Sequence, residues 1–316
     1  MVGALELGPR RIDQGFSAQE AAEFDDFVAT GYLAPFASLA LEHLEHRPSF
    51  TRTRLADVVE AQEPARVAHL CARTGFLDGA ILRALPGAWI FGTDPSPDAI
   101  ARAHARVRQD RQDQEERAGA ASASAARSPL RADRDYGVVA SIPSPFADGW
   151  FSHGITVHPG GNVGDRARLL AEYHRLLAPG GQLVIAVPLR GSFAELGDLL
   201  REYALKHDAP DVEAAVTGAT SLRPGVEGLT VELSRTGFEQ ISVTTTTTTL
   251  TFANGQALLD DPAMRLLVLP ELEQNLGISL AKPLHYARGA IDKYWSGGDF
   301  FELTVIAGCA AGYRRA

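Results

Sequence analysis

Residues 165–183 read DRARLLAEYHRLLAPGGQL, and this stretch decides the fold. It predicts a helix over about 165–177, followed by a strand over 183–188. The turn Pro179-Gly180-Gly181 separates them, because glycine supplies the left-handed residue that closes a helix and proline prevents its continuation. A helix joined by a tight turn to a strongly apolar strand is typical of sheets with helices packed on their faces.

The same alternation of short apolar runs with amphipathic runs extends in both directions from this stretch. Predicted strands lie at 67–71, 89–93, 136–140, 153–157, 183–188, 241–252 and 301–307. The strand at 241–252 contains six consecutive threonines, Thr244 to Thr249, whose β-branched side chains favour a strand over a helix. Strands alternating with helices predict an α/β fold with a parallel sheet.

The sequence contains no linker that would separate two hydrophobic cores. Residues 1–316 are predicted to form a single domain, with helices in the N-terminal part, 1–62. Residues 109–135 are charged and then rich in alanine and serine. A stretch of that composition cannot bury a face, so we interpret it as a flexible loop insertion.

Two capping-box patterns predict where helices begin. Ser17 is followed by Glu20, and Ser192 is followed by Glu195, each three residues later. In a capping box the serine side chain accepts a backbone N–H of the first turn, and the glutamate reaches back to the serine N–H. Each pattern therefore predicts a helix start.

Composition excludes several classes of protein. Hydrophobic residues make up 45% and charged residues 22% of the chain, which is typical of a globular protein. The formal net charge of -9 argues against binding nucleic acid through its phosphates. The two cysteines, Cys71 and Cys309, are too few for a disulfide framework. Since no signal peptide or membrane-spanning run is found, we expect a cytoplasmic protein with neither a nucleic-acid nor a membrane partner.

Three stretches resemble the class I S-adenosylmethionine-dependent methyltransferase family, in particular its branch with small-molecule substrates. WIFGTDPSPDAI at 89–100 is similar to the second strand of that family and the acidic residue after it. PFADGWF at 145–151 is similar to the turn into the fourth strand, and 165–183 to the helix, turn and fifth strand. The resemblance implies a doubly wound, Rossmann-like sheet of seven mostly parallel strands, with the seventh antiparallel between the fifth and sixth. It also implies that 253–300 is a helical insertion before the last strand.

The resemblance implies where the cofactor would bind. In the family, an acidic residue after the second strand takes both ribose hydroxyls of S-adenosylmethionine, and Asp94 stands at that position. The family's glycine-rich loop corresponds to residues 69–75. Its acidic position is His69, its first two glycine positions are Cys71 and Arg73, and its third is Gly75.

The ligand-facing positions depart from the family more than the scaffold does. Ala140 stands where the family commonly has an acidic residue for the adenine amino group, and Ser152 stands where an aspartate follows the phenylalanine. Glycines in the loop let the backbone turn tightly and approach the cofactor. Arg73 instead places a long cationic side chain there, which opposes the positive sulfonium and ammonium groups of the cofactor.

The leading hypothesis is therefore a degenerate methyltransferase-like protein, a pseudoenzyme without a cofactor, that serves as a protein-interaction or regulatory module. The alternative is an active S-adenosylmethionine-dependent methyltransferase on a small-molecule substrate. It would hold its cofactor through Asp94, Gly75, Thr74, Arg73 and His69. A third hypothesis is another ligand in the vacated pocket, for which Arg73 and His69 favour an anion.

Catalytic residues are not marked by any motif. His158 directly follows the fourth predicted strand, where a general base would face a substrate, and is the candidate for that role. A histidine in such a place is more often a hydrogen-bonded turn residue. The histidines show no metal-binding spacing. No nucleophile elbow, phosphate-binding loop or CxxC pair occurs in the sequence.

Overall fold

The computed structural model describes residues 15–46, 64–120, 133–160, 163–295 and 298–315, and its centre is one sheet of seven strands. The strands are β1 (Arg66–Leu70), β2 (Trp89–Asp94), β3 (Asp133–Val138), β4 (Phe151–Val157), β5 (Leu177–Pro188), β6 (Phe238–Phe252) and β7 (Phe301–Arg314). Their order across the sheet is β3-β2-β1-β4-β5-β7-β6. Strands β1 to β5 pair in parallel, and β7 runs antiparallel between β5 and β6. The predicted fold class is confirmed.

Helices cover both faces of this sheet. They are α1 (Ala18–Glu23), α2 (Ala34–Glu42), α3 (Asp78–Ala84), α4 (Pro97–Ala120), α5 (Val163–Leu176), α6 (Ala194–Lys206), α7 (Pro210–Leu222), α8 (Val226–Arg235), α9 (Gly255–Asp260), α10 (Leu269–Leu276) and α11 (Ala281–Tyr294). Two segments, Phe24–Tyr32 and Met264–Val268, have π-helical hydrogen bonding.

The alternation of side chains along β5 divides the core into two layers. Leu183 and Ile185 pack with α5 and α8, whereas Val184 and Ala186 pack with the larger core on the opposite face. Successive residues of a strand point to opposite faces, so a strand covered on both sides is apolar throughout. The larger core also takes in the N-terminal helices and the helices of residues 255–294.

The loop predicted at 109–135 is corrected at both ends. Helix α4 continues to Ala120 and β3 begins at Asp133, so only 121–132 could belong to a loop, and those residues lie outside the described ones. The charged run is helical because its polar side chains pair along the helix, as Gln109 does with Asp113 at 2.8 Å. Such pairs four residues apart stabilise a solvated helix that has no apolar face.

The two capping boxes have different outcomes. At Ser17 both reciprocal hydrogen bonds to Glu20 are present, as predicted. At Ser192 the predicted helix forms as α6, but the predicted capping box does not, because the N-cap residue is Phe193 in a left-handed conformation and no side chain caps the helix. Glu195 instead accepts from the backbone N–H of Thr304 at 3.1 Å. A contact with β7 has replaced the local one.

The sheet topology fixes the place of a ligand site. Strand order reverses between β1 and β4, because the chain continues from β1 to β2 on one side of the sheet and from β4 to β5 on the other side. Ligands of doubly wound sheets bind beyond the carboxyl ends of the strands at such a switch point. The loops after β1, β2 and β4 meet here.

Candidate functional site

The loop after β1 has a left-handed backbone at three positions, and two of them are not glycine. The φ angles are +58° at Cys71, +53° at Arg73 and +67° at Gly75. These are the three positions at which the resemblance expects glycine. A non-glycine residue in this conformation costs about 1–2 kcal/mol, so the fold imposes this turn on side chains that disfavour it.

Gly75 has no alternative in this loop. A Cβ built on it would lie 2.6 Å from the Tyr136 hydroxyl and 3.2 Å from an Asp78 oxygen. Its positive φ adds a second restriction. Of the three loop positions, this one cannot accept a side chain without moving its neighbours.

His69, at the acidic position of the family loop, is part of a buried hydrogen-bond chain with Asp78 and Tyr136. Its Nδ1 lies 2.6 Å from Asp78 Oδ1, and the Tyr136 hydroxyl donates to Asp78 Oδ2 at 2.6 Å. Burial and the neighbouring carboxylate raise the pKa of Tyr136, so the phenol stays protonated. Position 69 therefore has no carboxylate of its own, and the nearby carboxylate of Asp78 in α3 is bound to His69.

Asp94, the ribose-binding candidate, ends β2 with both carboxylate oxygens engaged. The backbone N–H of Arg73 donates to Oδ2 and that of Ser96 donates to Oδ1, each at 3.0 Å. The Arg73 guanidinium lies 3.9 Å from Oδ2. Only 1% of Asp94 is exposed. The structure therefore brings Asp94 and Arg73 together as partners of each other, and not as two groups that face a ligand.

The N-terminal segment closes this end of the site. The carbonyl of Phe16 accepts a hydrogen bond from Ser96 Oγ at 2.9 Å, and the Arg73 guanidinium lies over the Phe16 ring at 5.4 Å. Gly15 packs so closely that an added Cβ would be 2.5 Å from Ser96 Cα. These contacts account for the burial of Asp94.

Thr74 is held by the same N-terminal region. Its hydroxyl donates to Asp25 in the π-helical segment, and Asp25 also pairs with Arg102 and, at 2.8 Å, with Arg106 of α4. Two arginines therefore neutralise Asp25, which fixes the segment over the loop. Sequence reasoning did not single out Asp25, Phe16 or Asp78, because their partners are distant along the chain.

A cavity of about 630 Å³ opens beside this closed end. Its wall is formed by residues after β1, β2, β3 and β4 and by residues of α5 and α10: Leu70, Cys71, Thr93, Pro95, Val139, Ala140, Ser141, Ile142, Ser144, Pro159, Gly160, Asp165, Arg168, Leu169 and Gln274. Asp94 and Arg73 are not part of this wall. Cys71 is, and desolvation raises the pKa of its thiol to about 11, so it is protonated at neutral pH.

The two substituted positions outside the loop differ in location. Ala140 lies on the cavity wall, so the carboxylate expected for an adenine amino group is missing from the cavity itself. Ser152 lies within β4, where its hydroxyl accepts from the Arg66 N–H at 3.0 Å and donates to the Arg66 carbonyl at 3.1 Å. Ser152 therefore joins two strands rather than facing a ligand.

His158 leaves β4 with a φ of +48° and is 3% exposed. Its ring packs edge-on against Tyr32 and Phe36, at 5.4 and 5.8 Å between centroids. Its Nε2 lies 3.9 Å from a Glu271 oxygen. Burial lowers the pKa of His158, more than Glu271 raises it, and the imidazole is neutral at pH 7.

Comparison with known proteins finds sequence similarity to methyltransferases over part of the chain. Residues 73–185 match a family model described as a methyltransferase domain. A demethylmenaquinone methyltransferase from Thermus thermophilus is 31% identical over 148 residues. This part of the chain is therefore similar in sequence to methyltransferase domains. That match covers 45% of this chain and 57% of the Thermus protein, so it spans little more than half of the relative's length.

Solved structures share the fold of this chain. A Bacillus halodurans C-125 protein, provisionally classed as a methyltransferase, superposes with a TM-score of 0.51 at 13% identity, covering 89% of this chain and 99% of that one. A Haemonchus contortus phosphoethanolamine N-methyltransferase 2, bound to phosphomonomethylethanolamine and S-adenosylhomocysteine, gives 0.50 at 13% identity over 95% of this chain and 59% of its own. At this identity the likeness concerns the fold alone.

Two features are absent from the described residues, a metal-binding cluster and a membrane-spanning helix. No group of three or more His, Cys, Asp or Glu side chains in the described ranges is arranged to hold a metal ion. No helix in the described part of the chain has the length and apolarity needed to cross a membrane.

Proposed function

We propose that this methyltransferase domain has lost or strongly weakened S-adenosylmethionine binding and acts as a regulatory or protein-interaction module. The observation that carries the proposal is that Asp94 is buried with both carboxylate oxygens hydrogen-bonded. A ribose-binding carboxylate must present its oxygens to the ligand, whereas Asp94 accepts two backbone N–H groups, lies 3.9 Å from the Arg73 guanidinium and is buried. The residues in this arrangement do not fit the cofactor.

Electrostatics support the same proposal. Arg73 is 8% exposed and its guanidinium stays within 4 Å of Asp94, where it neutralises the charge that the cofactor would use. The cofactor's own sulfonium and ammonium groups would meet a cation in a poorly solvated site, where charge repulsion is stronger than in water. His69, paired with Asp78, supplies no carboxylate in place of the family's acidic residue.

An interaction role is supported by the edge of the sheet. Strand β6 is the last strand of the described sheet, next to β7 only, and its residues 241–252 include no charged residue and no proline. Natural proteins usually protect an edge strand with charges, prolines or bulges. From Ser242 to Phe252, beyond the register shift that follows Glu239, the edge has none of these protections and offers backbone groups to which another protein can add a strand.

Titration calorimetry with S-adenosylmethionine and S-adenosylhomocysteine tests the loss of cofactor binding. We expect no binding to the folded wild-type chain at millimolar ligand. Arg73→Gly removes the cation, restores the central glycine and frees one side of Asp94, so this variant should gain measurable affinity. Arg73→Lys is the matched control, since it keeps a cation and a side chain and should not gain affinity.

Three results would count against the proposal. Micromolar binding of either ligand by the wild-type chain would refute it directly. If Arg73→Gly and Arg73→Lys behave alike, then Arg73 is not the cause of the loss. An Arg73→Gly variant that binds equally well after the additional change Asp94→Asn would show that Asp94 is not the ribose anchor.

An active methyltransferase on a small molecule is the second candidate, and the cavity favours it. Its 630 Å³ lies at the strand ends where members of this family bind S-adenosylmethionine, and the loop beside it keeps the left-handed turns at Cys71, Arg73 and Gly75. Movement of Phe16 away from Arg73 would be needed to expose Asp94. Because this candidate requires wild-type binding, the same calorimetry separates the two.

A further inference from the structure

The two edges of the described sheet differ in how they are protected against pairing with another chain. At one edge lies β3, whose sequence DRDYGV begins with the charged residues Asp133, Arg134 and Asp135. At the other edge lies β6, which from Ser242 to Phe252 has neither a charged residue nor a proline and follows the register shift. Charges, prolines and bulges are the usual protections of an edge strand. We call residues 242–252 of β6 the open edge.

The open edge belongs to a strand of unusual length. Strand β6 has 15 residues, whereas strands in globular proteins usually have about five or six. It pairs with β7 on one side, and no described strand lies on its other side. An edge strand presents a row of unpaired N–H and C=O groups. The open edge is therefore long enough to add a whole strand from another chain.

The side chains of the open edge alternate between the two faces of the sheet. Leu250 and Phe252 pack with the larger core, while Val243 packs with the smaller one, so even-numbered and odd-numbered residues lie on opposite faces. The exposed threonines on the odd-numbered face are Thr245, Thr247, Thr249 and Thr251. A row of hydroxyl groups thus follows the edge on this face.

The sequence of the open edge is complementary to itself. A two-fold axis perpendicular to the sheet makes two copies of β6 antiparallel and keeps even-numbered residues of both on the same face. Thr247 is the midpoint of residues 242–252, so an axis at this residue uses the whole stretch. The facing pairs are then Thr247 with Thr247, Thr246 with Thr248, Thr245 with Thr249, Thr244 with Leu250, Val243 with Thr251 and Ser242 with Phe252. No pair brings two charges together.

Electrostatics also favour contact at this place. Each copy has a formal net charge of -9, so two copies repel each other wherever their charged surfaces approach. The open edge is a stretch without charge, and repulsion between exposed charges is screened beyond about 8 Å at physiological salt. In the antiparallel arrangement the two Glu239 side chains lie at opposite ends of the paired stretch. Each cross-strand pair of β-branched or hydroxyl side chains contributes about 0.2–1 kcal/mol.

We propose that the open edge pairs in antiparallel fashion with the same residues of a second copy of this chain, which joins the two sheets into one. This pairing occupies both open edges and leaves the charged β3 strands at the outer edges, so the assembly ends at a dimer. The inference rests on the interaction role proposed above and names its partner. It does not depend on whether S-adenosylmethionine binds.

Sedimentation equilibrium of the full chain across the micromolar range tests the proposal. We expect a reversible equilibrium between monomer and dimer, with a micromolar dissociation constant. Hydrogen exchange followed by mass spectrometry then locates the contact. Amides of residues 242–252 should exchange more slowly as the dimer fraction rises, because their outward N–H groups become paired, while amides of β3 should not change.

Variants at the axis test the register. Thr247→Lys places two ammonium groups opposite each other, so it should weaken the dimer by roughly tenfold or more, and Thr247→Glu should do the same. An equimolar mixture of the two variants should dimerise again, since lysine then faces glutamate. Thr217→Lys is the matched control, because it makes the same change at an exposed threonine of α7 and should dimerise like the wild type.

Several outcomes would overturn the proposal. They are a wild-type chain that stays monomeric, a Thr247→Lys chain with wild-type affinity, a mixture no tighter than its components, growth beyond the dimer, or exchange of 242–252 that is independent of concentration. If one Thr247 variant does not fold, as judged by circular dichroism, the other decides. Calorimetry with S-adenosylmethionine keeps the two proposals apart: a monomer without affinity for it contradicts only the dimer, and a dimer that binds it contradicts only the loss of cofactor binding.

Discussion

Two tyrosines of this protein are both deeply buried but differ in what their hydroxyls contact, and this difference predicts opposite effects of the same substitution. The Tyr173 hydroxyl donates to the Ile155 carbonyl at 2.6 Å and accepts from the Leu70 N–H at 3.0 Å. It thereby links α5 to β4 and β1. The Tyr32 hydroxyl has no partner among the described residues.

The expected magnitudes follow from these contacts. Tyr173→Phe removes two hydrogen bonds and leaves a buried N–H and a buried carbonyl with less pairing, which should lower the free energy of unfolding by about 2–3 kcal/mol. Tyr32→Phe removes only a desolvated hydroxyl, so the free energy of unfolding should stay the same or rise by about 1 kcal/mol. One kcal/mol corresponds to roughly 2–4 °C in Tm for a domain of this size class.

Urea unfolding and thermal unfolding of the two variants beside the wild type provide the measurement. Tyr173→Phe should lose roughly 4–12 °C in Tm, while Tyr32→Phe should equal or exceed the wild type. Equal destabilisation of both variants would refute the reasoning, because it would mean that Tyr32 makes a stabilising hydrogen bond.

Two further predictions concern single residues of the loops after β1 and β4. Cys71 has a φ of +58°, so Cys71→Gly should leave the free energy of unfolding unchanged or raise it by about 1 kcal/mol. The control is Cys309→Gly, in the middle of β7, which should lower the free energy of unfolding by about 1–2 kcal/mol. Urea unfolding measures both. Higher stability of Cys309→Gly than Cys71→Gly would contradict the left-handed strain. For His158, burial lowers the folded-state pKa below the ordinary 6.5, so the unfolded chain binds the proton first as the pH falls, and the free energy of unfolding should decrease below about pH 6.5. His158→Asn should reduce that slope relative to the wild type, and an identical slope in both would exclude His158 as its source.

The sequence determined the scaffold, because its signals are local. Periodicity and turn residues such as Pro179-Gly180-Gly181 act within a few residues, and they are sufficient to predict the strands and their parallel arrangement. The capping box at Ser17 is of this kind and forms as predicted. The same pattern at Ser192 fails because Glu195 finds a better partner in β7, more than 100 residues away. Local rules hold until a tertiary contact competes with them.

The sequence also indicated which loop positions depart from the family, but it did not determine what the departures do. Only the tertiary structure shows Arg73 next to Asp94 and Phe16 packed against Arg73 and Ser96, since Phe16 and Ser96 are 80 residues apart in the chain. The same holds for Tyr32, His158 and Glu271, which come together through packing of distant segments. The chain by itself therefore determined the fold, through short-range hydrogen-bond and side-chain periodicity. The packing of distant segments decided which polar groups are paired, covered or left without partners. No local sequence pattern encodes this packing.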